Sequence, residues 1–104
     1  MVLAASIMQE KDTQLESQKI PTRNPGYRME TVDNDVMLFH PGKTQIHYLN
    51  PTAALIWQLC DGLRSTDELI QLLQESYPEA SDEIPADVHA TLRDLAQKGC
   101  LSLA

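Results

Sequence analysis

Basic residues are scarce in this chain. It has 8 Lys and Arg against 15 Asp and Glu, which gives a formal net charge of −7. Nonspecific binding to nucleic acid and to anionic membrane surfaces depends on Lys and Arg. The charge balance therefore argues against both kinds of partner. It permits a basic or neutral peptide partner without requiring one.

Aromatic residues and long apolar runs are also few. With one Trp and one Phe, aliphatic side chains must fill most of the core. No apolar segment approaches the roughly 20 residues of a membrane span. Residues 1–8 are weakly apolar, but no basic residue precedes them and Glu10 and Asp12 follow, which is not typical of a secretory signal. We expect one cytoplasmic domain, which a length of 104 residues allows.

The chain has two cysteines, Cys60 and Cys100, far apart in sequence. Cys60 lies in an apolar predicted helix and Cys100 follows a predicted helix end. Such isolated cysteines are typical of small buried residues in a reducing compartment, although a disulfide between them stays open. A Cys-x-x-Cys or His-Glu-x-x-His spacing is absent. We therefore predict no metal site and no cofactor.

Residues suited to catalysis form no recognisable constellation. If residues 41–44 make a four-residue loop, His40 pairs with Gln45 and His47 lies diagonally on the same face. Two imidazoles are fewer than the four ligands that structural zinc normally has, so we interpret both as strand-surface residues. Acidic residues are dispersed at turns and helix starts, where they cap or solvate, and Ser65 suits a helix cap. The sequence predicts a protein that is not an enzyme.

Turn-forming residues divide the chain into an N-terminal segment and a domain. Residues 9–19 are polar, and Pro21 to Gly26 then interrupt regular structure. We predict a flexible extension over residues 1–26, with an apolar start that alternatively forms a short docking helix. The domain is predicted over residues 27–104.

Three strands and three helices are predicted within the domain. β-Favouring segments at residues 27–32, 36–40 and 44–49 are separated by turns, which is typical of an antiparallel meander. Capping residues then mark helix starts: Asn50 before Pro51, and Ser65 with Glu68 three residues on. The first helix covers residues 51–60, the second starts at Ser65 and stops before Pro78, and the third starts near Ile84 and ends at Gly99.

Three segments of this pattern carry a family resemblance. They are Tyr48-Leu49-Asn50-Pro51-Thr52-Ala53-Ala54-Leu55-Ile56-Trp57 followed by Asp61-Gly62, then Ser65-Thr66-Asp67-Glu68-Leu69-Ile70, and finally Asp87-Val88 with Leu95-Ala96-Gln97-Lys98-Gly99-Cys100-Leu101. In order and spacing they resemble the PqqD family, the peptide recognition element of ribosomal peptide maturation systems. The resemblance covers roughly residues 27–103.

The resemblance implies a fold and a function. The fold is an α+β winged helix-turn-helix, with a three-stranded antiparallel sheet packed on three helices. The function is that of a non-catalytic adaptor, or peptide chaperone. It binds the leader segment of a ribosomally synthesised precursor peptide as an added strand. It then presents that peptide to a modifying enzyme such as a radical SAM protein, a protease or a cyclase.

The resemblance also implies a binding site between the third strand and the third helix. Arg93 and Lys98 are expected to attract acidic leader residues. The helical spacing of Val88, Leu92 and Leu95 favours a core face, so Thr91 on the flank of that stripe is the better groove residue. The implied peptide-binding residues are Thr44, Gln45, Ile46, His47, Tyr48 and Leu49 on the strand, and Val88, Thr91, Leu92 and Leu95 on the helix.

Two other functions stay open. A winged helix is also a DNA-binding shape, but the third helix offers Arg93, Gln97 and Lys98 against Asp87 and Asp94, which ranks a DNA-binding regulator below a peptide adaptor. Alternatively, the chain is an oligomerisation module in which the same strand edge pairs with a second copy as a homodimer, through an N-terminal swap. That role is compatible with peptide binding.

Overall fold

The computed structural model describes residues 18–103, which form five strands, three α-helices and one 3-10 turn. Of the described helices, none combines the length and the apolar run needed to cross a membrane. In chain order the elements are β1 (Pro21–Arg23), β2 (Arg28–Val32), β3 (Asp35–Phe39), β4 (Ile46–Leu49), α1 (Pro51–Leu59), α2 (Thr66–Ser76), the 3-10 turn (Pro78–Ala80), α3 (Ile84–Gln97) and β5 (Leu101–Leu103).

The predicted meander is present as an antiparallel sheet of order β2-β3-β4. In the β3–β4 register Leu38 lies opposite His47 and Phe39 lies opposite Ile46. Leu38 is fully buried, so its side of the sheet faces the helices. Because side chains alternate along a strand, Ile46 and Tyr48 lie on the outer face. The sheet packs on three helices as the α+β winged helix-turn-helix fold requires.

Strand β4 is shorter than predicted. The turn between β3 and β4 extends over residues 40–45, so Thr44 and Gln45 lie in the turn and not in the strand. The Lys43 N–H donates to the His40 carbonyl at 2.9 Å, and the Gly42 N–H donates to His40 Nδ1 at 2.9 Å. These local bonds hold the chain in a turn where β propensity alone suggests continued pairing.

The helix starts follow their capping residues. The Ala53 N–H donates to Asn50 Oδ1 at 2.8 Å ahead of α1. At α2 the Glu68 N–H donates to Ser65 Oγ and the Ser65 N–H donates to Glu68 Oε1, both at 3.1 Å. The predicted capping box is therefore confirmed. Each cap satisfies backbone donors that a helix start leaves unpaired.

The core lies between the inner face of the sheet and the three helices. Trp57 is buried in this core, and its indole Nε1–H donates to the Cys100 carbonyl at 3.1 Å. Both cysteines are buried and free, so a disulfide between them is not formed. The buried apolar residues are Leu38, Leu49, Ala54, Ile56, Trp57, Cys60, Leu69, Ile70, Leu73, Ile84, Val88, Leu92, Leu95, Cys100 and Leu101.

The chain before residue 27 differs from the predicted extension. Strand β1 pairs antiparallel with β5, with Pro21 opposite Leu103 and Arg23 opposite Leu101. Pro21 is fully buried. Residues 18–26 thus belong to the domain, whereas residues 1–17, including the predicted docking helix, lie outside the described residues.

Hydrogen bonds tie this segment to the ends of all three helices. We call residues 19–24 the N-terminal clasp. The Arg23 N–H donates to the Cys60 carbonyl at 2.9 Å, and Thr66 Oγ1 donates to the Lys19 carbonyl at 3.0 Å. Asn24 Nδ2 donates to the Gly99 carbonyl at 2.7 Å. Because these partners lie far along the chain, the local polar pattern did not reveal them.

Replacing Gly26 with alanine is expected to destabilise the domain by about 2 kcal/mol. Gly26 has a φ of +87°, and a Cβ there would lie 2.4 Å from His40 Nε2. A Cβ at Gly42 would lie 3.1 Å from the same ring, and Gly42 does not have a left-handed φ. Gly42→Ala is therefore expected to cost less than about 1 kcal/mol. Urea unfolding of both variants checks this, and equal losses would refute the backbone argument.

Candidate functional site

The described three-stranded sheet has two open edges, β2 and β4. An edge strand leaves alternate N–H and C=O groups unpaired, and these can accept an additional strand. Natural proteins protect such edges with charge or proline. Strand β2 carries the charged residues Arg28 and Glu30. Strand β4, Ile46–Leu49, contains no Lys, Arg, Asp, Glu or Pro. The β4 edge is therefore the less protected of the two.

A groove lies beside β4. Its volume is about 240 Å³, which is enough for part of an extended chain but less than an ordinary small-molecule pocket. Strand β4, the first turn of α1 and one face of α3 form its walls. We call this the β4–α3 groove, and its lining residues are Tyr48, Leu49, Asn50, Ala53, Ala90, Thr91, Asp94 and Leu95.

The strand residues predicted for peptide binding fall into three groups. Tyr48 and Leu49 line the groove. Ile46 and His47 lie on β4 beyond it, and Ile46 is half exposed on the outer face. Thr44 and Gln45 are exposed in the preceding turn. The β4 edge thus offers four residues for backbone pairing, whereas six were predicted.

The helix residues predicted for peptide binding divide by burial. Thr91 is partly exposed and lines the groove, as does Leu95 at its base. Val88 and Leu92 are at most 2% exposed, and Leu95 is fully buried. The stripe Val88, Leu92 and Leu95 is therefore the core face of α3, and of these three only Leu95 borders the groove.

Four groove residues were not predicted: Asn50, Ala53, Ala90 and Asp94. Asp94 lies three residues after Thr91, so helical spacing counted from Thr91 would have found it, and Ala90 lies four residues before Asp94. Asn50 was assigned only a capping role. It serves as the cap and also lines the groove, because α1 starts directly where β4 ends.

Neither Arg93 nor Lys98, the two basic residues expected to attract acidic leader residues, lines the β4–α3 groove. Lys98 Nζ lies 2.9 Å from Asp94 Oδ2, so its charge is paired locally. Arg93 lines a separate hollow with Lys19 and His89. Neighbouring residues on a helix point about 100° apart, so Arg93 turns away from the face that carries Asp94. The charged side chain lining the groove is an acid.

The histidines have structural roles in the turn and sheet. His40 accepts from the Gly42 N–H, and its ring meets Tyr27 edge-on with centroids 5.3 Å apart. His47 lies on β4 opposite Leu38. Within residues 18–103, no group of three or more His, Cys, Asp or Glu side chains is placed to hold a metal ion.

The thiols lie in surroundings that suppress their reactivity. Burial raises the pKa of the Cys60 thiol from an ordinary 9.0 to about 12, and the thiol donates to the Ile56 carbonyl at 3.1 Å. Burial also raises the pKa of Cys100. A nucleophilic cysteine needs a lowered pKa and access to solvent. Neither cysteine is a candidate nucleophile.

These pKa shifts predict a loss of stability in alkali. A thiol whose pKa is higher in the folded state than in the unfolded state favours folding fully below about pH 9 and progressively less towards pH 12. We therefore expect the urea concentration at the unfolding midpoint to decrease as the pH is raised from about 8 to about 10. Cys60→Ala should reduce that fall, and an unchanged pH dependence in this variant would assign it to other groups.

The sequence has curated relatives in Rhodopseudomonas palustris. Proteins called PqqA binding protein are 50% identical in strain HaA2 and 48% identical in strain BisB5, each over 52 residues. Each match covers 50% of this chain and 51% of the relative. The chain thus spans about half the length of the curated relatives it matches.

Two solved structures share the fold. One is the PqqD part of Methylobacterium extorquens PqqCD, which is described as a functional stand-alone recognition element for ribosomally synthesised and post-translationally modified peptides. It matches with a TM-score of 0.65 and 27% identity, over 84% of this chain and 92% of that one. TbiB1, solved in complex with the TbiA(beta) leader peptide, has a TM-score of 0.62 and 21% identity, over 78% of this chain and 94% of that one.

The family model covers most of the described elements. The model for coenzyme PQQ synthesis protein D (PqqD) matches residues 35–101, which include β3, β4 and all three helices. This match covers more than half of the sequence and confirms the resemblance carried by residues 48–57, 65–70 and 95–101. The chain belongs to the PqqD family.

Proposed function

We propose that this chain binds the leader segment of a ribosomally made precursor peptide as an added strand on β4. The observation that carries the proposal is the open edge of β4, which has no Lys, Arg, Asp or Glu and lies beside the β4–α3 groove. The other edge, β2, carries charged residues and does not line this groove. The names of the R. palustris relatives and the description of the M. extorquens protein support the same ligand class.

In strand addition, backbone hydrogen bonds provide affinity and side-chain contacts provide selectivity. Backbone bonds to the free N–H and C=O groups of β4 supply affinity for any extended peptide. Alternate peptide side chains then turn towards the groove, where Leu95 and Ala53 offer an apolar base and Thr91 and Asn50 offer hydrogen-bonding groups. A peptide with alternating apolar residues therefore suits this site.

The proposed role is delivery and not catalysis. Both thiols have raised pKa values, and residues 18–103 contain no group of three metal-ligating side chains. The adaptor presents the bound peptide, in the cytoplasm, to a modifying enzyme such as a radical SAM protein, a protease or a cyclase. A second copy of the chain would use the same β4 edge, so a homodimer formed there competes with the peptide.

The DNA-binding alternative finds no support. The face of α3 beside the groove carries Asp94, and Glu83 and Asp87 lie at the N-terminal end of the same helix. A recognition helix needs outward-pointing donors and basic neighbours for phosphate contact. The relatives are PqqA binding proteins by name.

The direct test is a titration of the ¹⁵N-labelled chain with the PqqA peptide of R. palustris, the ligand in the relatives' name. We expect the largest amide shifts at Ile46–Leu49 of β4 and at residues 90–95 of α3. The amides of β2 serve as the internal control, because that strand is the other open edge of the sheet. Shifts confined to β2, or no shift at about 1 mM peptide, would contradict the proposal.

A further inference from the structure

A second pocket adjoins the β4–α3 groove. It has a volume of about 370 Å³ and lies between the start of α1, the end of α2, the 3-10 turn and the start of α3. We call it the α1–α3 pocket. Its lining residues are Pro51, Thr52, Leu55, Ile56, Leu73, Tyr77, Glu79, Ala80, Glu83, Ile84, Asp87 and Val88.

The base and the rim of the α1–α3 pocket differ in chemistry. Aliphatic side chains of α1, α2 and α3 form its base, and Tyr77 is 46% exposed at its side. Three exposed carboxylates, Glu79, Glu83 and Asp87, lie around it. Among residues 18–103, the structure pairs none of these three with a cation. The pocket is therefore apolar inside and acidic outside.

The α1–α3 pocket continues the path of the groove. Asn50 lines the groove and the next residue, Pro51, lines the pocket. On α3, Asp87 of the pocket lies one helical turn before Ala90 and Thr91 of the groove. A peptide paired with β4 that continues past Leu49 therefore passes from the groove into the acidic rim.

We propose that the α1–α3 pocket selects a basic peptide residue next to an apolar one, in the stretch of the bound leader that extends past Leu49. This inference rests on the proposed function and adds the charge of the preferred ligand. The apolar side chain fills the pocket between Leu55 and Tyr77. The Lys or Arg beside it lies within reach of the three carboxylates, which attract a cation and repel an acid.

Acidic residues near the start of a helix also interact favourably with its dipole. That role explains Glu83 and Asp87 at α3 without any ligand. It does not require an open apolar pocket between them, and it does not account for Glu79 on the 3-10 turn facing the same space. The juxtaposition of carboxylates and an unfilled apolar pocket is what points to a ligand.

A substitution scan tests the inference. The R. palustris PqqA peptide is synthesised with each residue in turn replaced by Lys or by Glu, and the Kd of each peptide is measured for two proteins. One is the unmodified chain, and the other combines Glu79→Gln, Glu83→Gln and Asp87→Asn. We expect one or two positions at which Lys binds about tenfold tighter than Glu to the unmodified chain. The triple variant should reduce that preference to about twofold or less.

A matched control separates local from overall charge. Glu30→Gln, Asp33→Asn and Asp35→Asn change the net charge equally, on the β2–β3 hairpin, and should retain the tenfold preference. Thermal unfolding confirms that both triple variants are folded. If peptides bind without a Lys preference, or if the control loses it equally, the inference is overturned while the proposed function stands. If no peptide binds the unmodified chain, both are overturned.

Discussion

Ala90→Arg is expected to weaken PqqA peptide binding at least about tenfold, or about 1.4 kcal/mol. Ala90 is exposed and lines the β4–α3 groove from the α3 side. An arginine there fills the space that the added strand requires, because position 90 borders the β4–α3 groove. Fluorescence anisotropy with a labelled PqqA peptide measures the loss.

The matched control is Ala86→Arg. Ala86 is exposed on the same helix, one turn earlier, and lines neither the groove nor the α1–α3 pocket. The two variants share residue type, added charge and helix propensity, so only the position differs. We expect Ala86→Arg to bind within about twofold of the unmodified chain, with equal thermal stability for both variants. Equal binding by the two variants would place the peptide elsewhere.

Removing the N-terminal clasp is expected to unfold the domain. A chain that begins at Gln18 retains it, whereas a chain that begins at Tyr27 loses β1 and its bonds to Cys60 and Thr66. Thr66 is 1% exposed, so its hydroxyl would lose a buried partner at a cost of about 1–3 kcal/mol. Together with the lost Pro21 burial and strand pairing, this consumes most of an ordinary folding free energy of about 5–15 kcal/mol.

Circular dichroism and urea unfolding of the two truncated chains measure this difference directly, since they differ only in residues 18–26. Asn24→Ala is the milder variant. It removes the bond to the Gly99 carbonyl and the one from Ser102 Oγ, at an expected cost of about 1–2 kcal/mol. Asn34→Ala, in the exposed β2–β3 turn, is its control. Equal stability of the two truncated chains would return the domain boundary to residue 27.

Local signals predicted most of the helical part of the fold. Asn50 with Pro51, and Ser65 with Glu68, place helix starts because a side-chain oxygen satisfies a free N–H within three residues. Gly99 ends α3 with a φ of +79°. The register of β3 and β4 also followed from the turn between them, except that the bonds around His40 lengthened that turn.

The candidate site was predicted only in part. A helical stripe shows which residues share a face, so Val88, Leu92 and Leu95 could be grouped from spacing alone. Whether that face meets the core or a bound peptide depends on where α1 and β4 lie relative to α3. Their packing buries the stripe and leaves Ala90, Thr91 and Asp94 beside the groove.

The sequence by itself determined the element order, the helix caps and the PqqD family, because each depends on interactions between residues close in the chain. The tertiary structure alone decided two features: the clasp of residues 19–24 on β5, and the α1–α3 pocket. Each of these joins residues distant in sequence, such as Asn24 with Gly99 and Pro51 with Asp87. Contacts of that separation form only when the chain packs, and no local pattern encodes them.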